Sequence, residues 1–215
     1  MKYSIKDYPA HLTMVGELNG TRAYEAAGRA VRAYPPFVTV PETVVGDELF
    51  VKKSFVDVVV YPELFVVIGE DVGRGQGGAE SILGYGISLA MSQQSLVKQV
   101  TDKGGSQRDI GCVRWYQMQS DGTRIIGGEL VENLDIGKCK MTLRLGEKEV
   151  AYDMADMIWK PEKILPDMSQ LARFRKYDRV FLGPVDAPTA LGREKKVVVK
   201  NDCFDDLEVV VRYEK

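Results

Sequence analysis

The fold of this chain is decided by the stretch Tyr61-Pro62-Glu63-Leu64-Phe65-Val66-Val67-Ile68-Gly69. From Leu64 to Ile68 it is a continuous apolar run of strand length, and it ends at a glycine. Such a run is typical of a strand that is buried on both faces. A second apolar segment, residues 84–92, follows after a glycine-rich turn and is also of strand length. We therefore predict core β-strands in this part of the chain.

Further strands and a few short helices are predicted on both sides of this segment. Residues 140–145 alternate between polar and apolar side chains, which is typical of a half-exposed strand, and Gly146-Glu147-Lys148 then makes a hairpin turn. Apolar positions at helical spacing predict helices in residues 154–164 and 168–174, and helix-forming residues predict another in residues 22–31. The remaining predicted strands are residues 110–119, 127–131, 179–182 and 207–213.

The order of these elements indicates the fold class. Many short strands, few helices and no regular alternation of strands with helices favour a mainly-β (α+β) roll or barrel. The length of 215 residues fits one domain that can bury a sizeable core. We predict a single domain over residues 1–215, in which residues 1–45 form a small N-terminal cap region.

Composition and charge exclude several classes of function. The chain has 29 Lys and Arg residues against 31 Asp and Glu residues, without a block of like charge, so no nucleic-acid partner is expected. The first residues lack an apolar leader, and no stretch approaches the roughly 20 apolar residues of a membrane helix, so we expect a soluble cytoplasmic protein with no membrane contact. The single histidine, His11, excludes sites built from several histidines. Cys112, Cys139 and Cys203 form no CxxC pair, which predicts buried reduced thiols rather than a disulfide framework or a zinc site.

The blocks around Tyr61 resemble the central signature of the fumarylacetoacetate hydrolase superfamily. Tyr61 to Gly69, and then Ala79-Glu80 with Gly84-Tyr85-Gly86-Ile87, are similar to the family's DYExELxxVIG and AxxxxxGYTxxND motifs. Three other blocks are similar to the family's remaining motifs, in the same order along the chain: Val15-Gly16 to Glu25; Trp115 with Asp121-Gly122 and Gly127-Gly128; and Leu182-Gly183-Pro184 to Leu191-Gly192. The resemblance implies a mixed β-sandwich roll or barrel with a few short helices, usually dimeric, with an active site at the mouth of the barrel.

The departures from the family's motifs concern its metal site. Family members hold Mg²⁺ or Mn²⁺ with three carboxylates, because a hard divalent cation prefers oxygen ligands. The resemblance places Tyr61 and Ala90 where two of these carboxylates stand, and only Glu63 coincides with a metal ligand. The family's lysine falls at Met118 or Gln119. The resemblance therefore implies a divergent member with most metal ligands replaced, and we predict no metal and no other cofactor, with Mg²⁺ as the alternative.

Three functions are compatible with these residues, and the sequence does not decide whether the chain is an enzyme. The first is metal-independent acid/base chemistry of the tautomerase, decarboxylase, lyase or cyclase type on a small β-dicarbonyl or 2-oxo acid, which would make the chain an isomerase, lyase or hydrolase. The family resemblance places several residues of this chain in the pocket. Glu25 and Glu63 would act there as buried general acid or base, together with Arg22. The substrate-binding groups would be Tyr61, Ser92, Gln94 and Gln119. Arg22 and Glu25 would equally fit a solvated ion pair on a helix.

The other two functions need no catalysis. The chain would be a decayed subunit that pairs with an active homologue, or a protein that binds a small carboxylic acid through Arg22. The expected partners are therefore a small carbonyl or carboxylic acid and either a second copy of the chain or a related subunit. A concave apolar cavity lined by Arg22, Glu25, Glu63 and Gln119 would favour an enzyme, whereas bulky side chains filling that space would favour a scaffold.

Overall fold

The computed structural model describes residues 2–5, 13–16, 19–26, 28, 37–40, 47–106, 109, 113 and 124–214. The strands in these ranges are β1 (Lys2–Ser4), β2 (Thr13–Gly16), β3 (Phe37–Val40), β4 (Glu48–Val51), β5 (Val58–Ile68), β6 (Ile82–Gln93), β7 (Arg124–Ile126), β8 (Glu129–Val131), β9 (Lys140–Leu145), β10 (Lys148–Asp153), β11 (Arg179–Phe181), β12 (Thr189–Ala190), β13 (Lys196–Asn201) and β14 (Leu207–Tyr213). The helices are α1 (Thr21–Ala26), α2 (Gln94–Asp102) and α3 (Pro161–Leu171).

The longest elements, β5 and β6, form the centre of a large sheet. They pair antiparallel along almost their whole length, and every residue of β5 after Val58 is buried. Burial on both faces explains why the sequence shows a continuous apolar run instead of alternation. The core strands predicted within residues 64–69 and 84–92 are therefore confirmed. The order of the large sheet is β1-β8-β6-β5-β11-β2-β3, with β7 paired to β6 and β12 paired to β5.

The smaller sheet has the order β10-β9-β13-β14-β4 and is antiparallel except between β14 and β4. Its strands β9 and β14 coincide with the strands predicted at residues 140–145 and 207–213. Buried and exposed residues alternate along both strands, because one face of this sheet packs on the core and the other faces solvent. Gly146 takes a left-handed conformation, with φ of +58°, in the predicted hairpin turn to β10.

The two sheets pack face to face through one hydrophobic core, which makes the molecule a mainly-β (α+β) sandwich and confirms the predicted fold class. Leu64, Val66 and Leu89 of the large sheet meet Leu143 and Val209 of the smaller sheet in this core. The opposite face of the large sheet carries a second apolar cluster, formed by Ile5, Phe65, Val67, Ile126, Leu130 and Phe181. Residues of β5 therefore alternate between the inter-sheet core and this second face.

The helical predictions are confirmed only in part. Instead of one helix over residues 154–164, a 3₁₀ turn at Met154–Asp156 precedes α3. The backbone N–H of Ile158 donates to the carbonyl of Asn19 (2.8 Å) instead of to a helical partner, and Pro161 starts α3, where its missing N–H is tolerated. The predicted helix at residues 22–31 is described as far as Ala26, and the strand predicted at 110–119 lies almost entirely outside the described residues. In the described part of the chain, no helix is long and apolar enough to cross a membrane.

Candidate functional site

The three positions at which the resemblance places the family's metal-binding carboxylates lie together on the second face of the large sheet. Tyr61 and Glu63 are two residues apart on β5, so their side chains point to the same face. Ala90 of β6 lies directly opposite Tyr61, and Ser88 lies directly opposite Glu63. Directly opposed residues of antiparallel strands have neighbouring side chains. We call the group formed by these four residues and their partner Arg124 the Glu63 cluster.

The carboxylate of Glu63 is fully buried and is held by three hydrogen-bond donors. Its Oε1 accepts from the Ser88 hydroxyl at 3.1 Å and from the Nε–H of Arg124 at 2.5 Å. Its Oε2 accepts from the backbone N–H of Gly183 at 3.2 Å. A buried carboxylate needs such partners, because an unpaired charge away from water costs many kcal/mol. The side chain is thus fixed in position by groups from three separate strands and turns.

Arg124 is the cation that neutralises this carboxylate. It is the first residue of β7, lies opposite Ala90 in the β6–β7 ladder, and has a side chain that is 3% exposed. Its guanidinium lies over the ring of Phe181, 4.7 Å from the centroid, in a cation–π arrangement. Burial acts to lower the pKa of Arg124, but the negative charge of Glu63 and the hydrogen bonds to Glu63 and Tyr61 hold that pKa above its ordinary value. Arg124 therefore carries a permanent positive charge inside the sheet face.

The sequence analysis did not identify Arg124, although one signal was available. A glutamate inside an otherwise apolar strand requires a cationic or strongly donating partner when that strand is buried. The partner comes from a strand 61 residues further along the chain. No local pattern marks Arg124, so only the requirement for a counter-charge to Glu63 could have directed attention to this arginine, which shortly precedes Gly127-Gly128.

The described side chains of the Glu63 cluster do not by themselves fit a hard divalent cation. Among the described residues of the Glu63 cluster there is one carboxylate, one phenol and one hydroxyl, whereas Mg²⁺ or Mn²⁺ sites are built from several carboxylate and carbonyl oxygens. The one carboxylate is already bound to the Arg124 guanidinium. In the described part of the chain, no group of three or more His, Cys, Asp or Glu side chains is placed to hold a metal ion.

The other predicted site residues lie at different places around the sheet. Ser92 is half-buried and pairs with Val59, so it belongs to the same face as Tyr61 but lies four residues further along β6 than Ser88. Gln94 is the first residue of α2 and is exposed. Gln119 lies outside the described residues, as do Met118 and His11. The substrate contacts predicted for Ser92, Gln94 and Gln119 therefore stay predictions.

Arg22 and Glu25 both lie on α1 and are exposed. Arg22 donates to the Asp186 carboxylate at 3.3 Å, in an ion pair whose arginine side chain is 65% exposed. Exposed pairs of this kind contribute about 0–1 kcal/mol. The described contacts thus join Arg22 to the segment that follows β11 and not to the Glu63 cluster, and the catalytic roles of Arg22 and Glu25 remain untested predictions.

A cleft of about 420 Å³ opens on the other side of β6. It is lined by Ile87, Gly127, Gly128, Glu129, Phe204, Asp205, Asp206 and Leu207. This set shares no residue with the cavity expected from the sequence. Its three charged residues are all acidic, so the cleft does not suit a carboxylic acid, which requires a cationic or donor-rich lining.

Comparison with known proteins agrees with this architecture. A family model described as fumarylacetoacetate (FAA) hydrolase C-terminal matches residues 8–211. No curated protein matches the chain. Among solved structures, a fumarylacetoacetate hydrolase family protein from Yersinia pestis has a TM-score of 0.81 at 19% identity, covering 96% of this chain and 95% of its own.

Two further solved structures carry names of specific activities. A 5-carboxymethyl-2-hydroxymuconate delta-isomerase from Mycobacterium smegmatis has a TM-score of 0.77 at 16% identity and covers 97% of this chain and 81% of its own. A fumarylpyruvate hydrolase from Pseudomonas aeruginosa, in complex with Mn²⁺ and pyruvate, has a TM-score of 0.75 at 20% identity and covers 96% and 91%. At these identities the structures establish the fold alone. Since the family model spans nearly the whole length, the chain belongs to the fumarylacetoacetate hydrolase family.

Proposed function

We propose that the chain catalyses proton transfer on a small β-dicarbonyl or 2-oxo acid without a bound metal ion, with the Arg124 guanidinium as the fixed positive charge of the site. The observation that carries this proposal is the buried ion pair of Arg124 with Glu63, where the family resemblance expects a metal ion and its ligands. The relatives support the class of substrate. The P. aeruginosa hydrolase was crystallised with pyruvate, a 2-oxo acid, and the M. smegmatis protein is named as an isomerase.

The positive charge is needed for a defined reason. Removal of a proton from a carbon next to a carbonyl leaves negative charge on the carbonyl oxygen, and catalysis requires groups that stabilise this oxygen more strongly than they stabilise the ground state. A guanidinium is planar, permanently charged and rich in N–H donors. The Nε–H of Arg124 binds Glu63, and its terminal nitrogens are the groups that would meet the substrate oxygen. The phenol of Tyr61 lies on the same face and would donate a further hydrogen bond.

Glu63 is the proton acceptor in this proposal. Its carboxylate accepts hydrogen bonds from Arg124, Ser88 and Gly183, which hold its oxygens in fixed positions. A carbon that lies between two carbonyl groups loses its proton more readily than one beside a single carbonyl group, because the resulting charge is shared by two oxygens. β-Dicarbonyl acids are therefore favoured over simple 2-oxo acids. Glu25, with Arg22, remains the candidate for a second acid or base that returns the proton to another atom.

A second candidate function, the non-catalytic subunit, is favoured by the burial of the same cluster. Tyr61 is 6% exposed, Ala90 is 1% exposed and Glu63 is fully buried. A substrate can reach these groups only if the covering chain moves. In a decayed subunit, the ion pair would instead fill the former site and stabilise the fold of a partner to an active homologue.

The test is hydrogen exchange at carbon. Purified protein is incubated in D₂O with EDTA and acetopyruvate, a β-dicarbonyl 2-oxo acid, and loss of the proton signal at the central carbon is followed by NMR. We expect exchange above the buffer rate in the wild-type protein and exchange at the buffer rate in Arg124→Met and Glu63→Gln. The matched control is Arg212→Met, which breaks an exposed arginine–glutamate pair of the smaller sheet and should leave the exchange rate unchanged.

The outcomes separate the two candidates. Exchange that requires added Mn²⁺ and is abolished by EDTA would refute the metal-independent proposal. Absence of exchange with and without metal, in a protein that co-purifies stoichiometrically with a related subunit, would favour the non-catalytic subunit. Circular dichroism of each variant shows whether lost exchange results from lost folding.

A further inference from the structure

Cys139 and Cys203 lie just beyond the same end of the β9–β13 ladder. In this ladder Asn201 pairs with Met141. The same antiparallel register, continued by two residues, brings Cys139 opposite Cys203. The Cys203 thiol is near enough to contribute to the raised pKa of Cys139, although the two lie 64 positions apart in sequence and neither lies in a CxxC motif.

The backbone of each cysteine is held in place by separate interactions. The N–H of Cys139 donates to the carbonyl of Ile136 at 3.1 Å, and its own carbonyl accepts from the N–H of Met154 at 3.0 Å. The N–H of Cys203 donates to the side-chain oxygen of Asn201 at 3.0 Å. Opposed residues of antiparallel strands have Cα atoms about 4.5–5.5 Å apart, which lies within the range of disulfides. Cys139 directly precedes β9 and Cys203 follows β13 by two residues, so the register of the ladder places the pair in the neighbourhood that a disulfide requires.

We propose that Cys139 and Cys203 are a reversible dithiol–disulfide site, whose oxidant is a low-molecular-weight disulfide. The Cys203 thiolate first attacks one sulfur of the small disulfide, which forms a mixed disulfide and releases one small thiolate. The Cys139 thiolate then attacks the sulfur of Cys203 and releases the second small thiolate. Both leaving groups take up the protons that the two cysteines lost. Two electrons pass from the protein thiols to the small disulfide, and one intramolecular S–S bond forms.

The order of the two steps follows from burial. Cys139 is fully buried in the inter-sheet core, whereas Cys203 is half-buried in the turn between β13 and β14. Burial, together with Cys203, Asp202 and Asp153, raises the pKa of Cys139 to about 12. The thiolate is the reactive form, so the more accessible Cys203 attacks the external disulfide first, and the buried Cys139 closes the intramolecular bond slowly. The closing step should accelerate about tenfold for each unit of pH below that pKa.

The site has a structural consequence for the cleft on the inter-sheet side of β6. Phe204 and Asp205 directly follow Cys203 and form part of the cleft wall. Asp205 also donates its backbone N–H to the Glu129 carboxylate at 2.9 Å, on the opposite wall. A bond between Cys203 and the start of β9 would fix this turn at one end, so the oxidation state of the pair controls the mobility of the cleft wall.

The test uses oxidised glutathione as the probe. Full-length protein carrying Cys112→Ser is incubated with it between about pH 7 and about pH 9, and the reaction is quenched with an alkylating agent. Peptide mapping without reduction should show a peptide pair linked through Cys139 and Cys203, which disappears on addition of dithiothreitol. The variant Cys139→Ser should stop at a glutathione adduct on Cys203.

Wild-type protein is mapped in parallel, so that the result does not depend on the folding of any variant. A stable glutathione adduct on Cys203 in the wild-type protein, without the linked pair at the higher pH, would overturn the proposal. Absence of any reaction at Cys203 would overturn it as well. Linkage that forms only in denaturant would show that the folded chain does not bring the two sulfurs into bonding geometry.

Discussion

The ion pair between Glu63 and Arg124 makes a large and specific prediction about stability. Replacement of Arg124 by Met keeps an unbranched side chain of similar length and removes the charge. Glu63 then keeps only the Ser88 hydroxyl and the Gly183 N–H as donors, in a place that water does not reach. Removal of one partner from a buried pair costs about 3–5 kcal/mol, because it leaves an uncompensated charge. Since domains of this kind are stable by about 5–15 kcal/mol, Arg124→Met should lose a large fraction of the free energy of unfolding.

The double variant distinguishes the cost of an unpaired charge from the value of the pair itself. Glu63→Met alone leaves the guanidinium of Arg124 without its carboxylate and should cost a similar amount. Glu63→Met with Arg124→Met removes both charges, and the substitution of a whole buried pair by apolar residues is often neutral or stabilising. We therefore expect the double variant to be more stable than either single variant by about 2–4 kcal/mol.

Urea unfolding followed by circular dichroism measures all four proteins of this cycle. The control is the exposed pair Arg212–Glu48, in which the Nη2 to Oε1 distance is 2.8 Å but both side chains are more than half exposed. Arg212→Met should cost less than about 1 kcal/mol, because exposed pairs are screened by solvent. Equal costs for Arg124→Met and Arg212→Met, or a double variant whose loss equals the sum of the single losses, would refute the reasoning.

Two other predictions concern the hydrogen bonds of Asn19 and the close packing of Gly86. The Asn19 side chain accepts a hydrogen bond from the N–H of Trp159 (2.6 Å) and donates to the carbonyls of Trp159 (3.0 Å) and Leu182 (2.7 Å). Asn19→Ala removes all three, so it should lower the free energy of unfolding in urea by about 2–4 kcal/mol. A loss under about 1 kcal/mol would mean that water replaces these hydrogen bonds. Gly86→Ala places a Cβ against the ring of Phe65, so it should cost about 1–3 kcal/mol. The double variant Gly86→Ala with Phe65→Leu should recover part of that loss, and failure to recover would place the strain in the backbone instead.

Strands were predicted correctly where their burial leaves a clear pattern in the sequence. The run in β5 is continuous because both of its faces are covered, and β9 and β14 alternate because only one face is covered. Strand β13 was not predicted. Its apolar part is only Val197 to Val199, flanked by lysines, which is a short pattern for a strand. The helix predicted over residues 154–164 was interrupted by a tertiary contact with Asn19, which no local propensity records.

The candidate site was predicted only in the part that one strand contributes. Tyr61 and Glu63 were identified because the family resemblance places them at metal-ligand positions, and their spacing on β5 puts them on one face. Arg124 was not, because the β6–β7 pairing that places it opposite Ala90 joins distant parts of the chain. The contact between Cys139 and Cys203 was missed for the same reason, and the sequence analysis treated them as isolated thiols.

In the proposed metal-independent site, the Arg124 guanidinium takes the place of a metal ion, which changes what controls the site. A metal ion is set in place by several carboxylates and can be removed by a chelator, whereas the position of Arg124 depends on one three-residue strand, β7, and on its register against β6. The small, uncharged side chain of Ala90 is part of this arrangement. An aspartate at this position would place a second carboxylate beside the guanidinium of Arg124, and it would compete with Glu63. The variant Ala90→Asp should therefore weaken the Glu63–Arg124 coupling before it creates any affinity for Mn²⁺. Ala90→Asp combined with Tyr61→Glu and Arg124→Ala is then the minimum set of changes from which metal binding could return. Together with Glu63, this set provides three carboxylates and removes the competing cation.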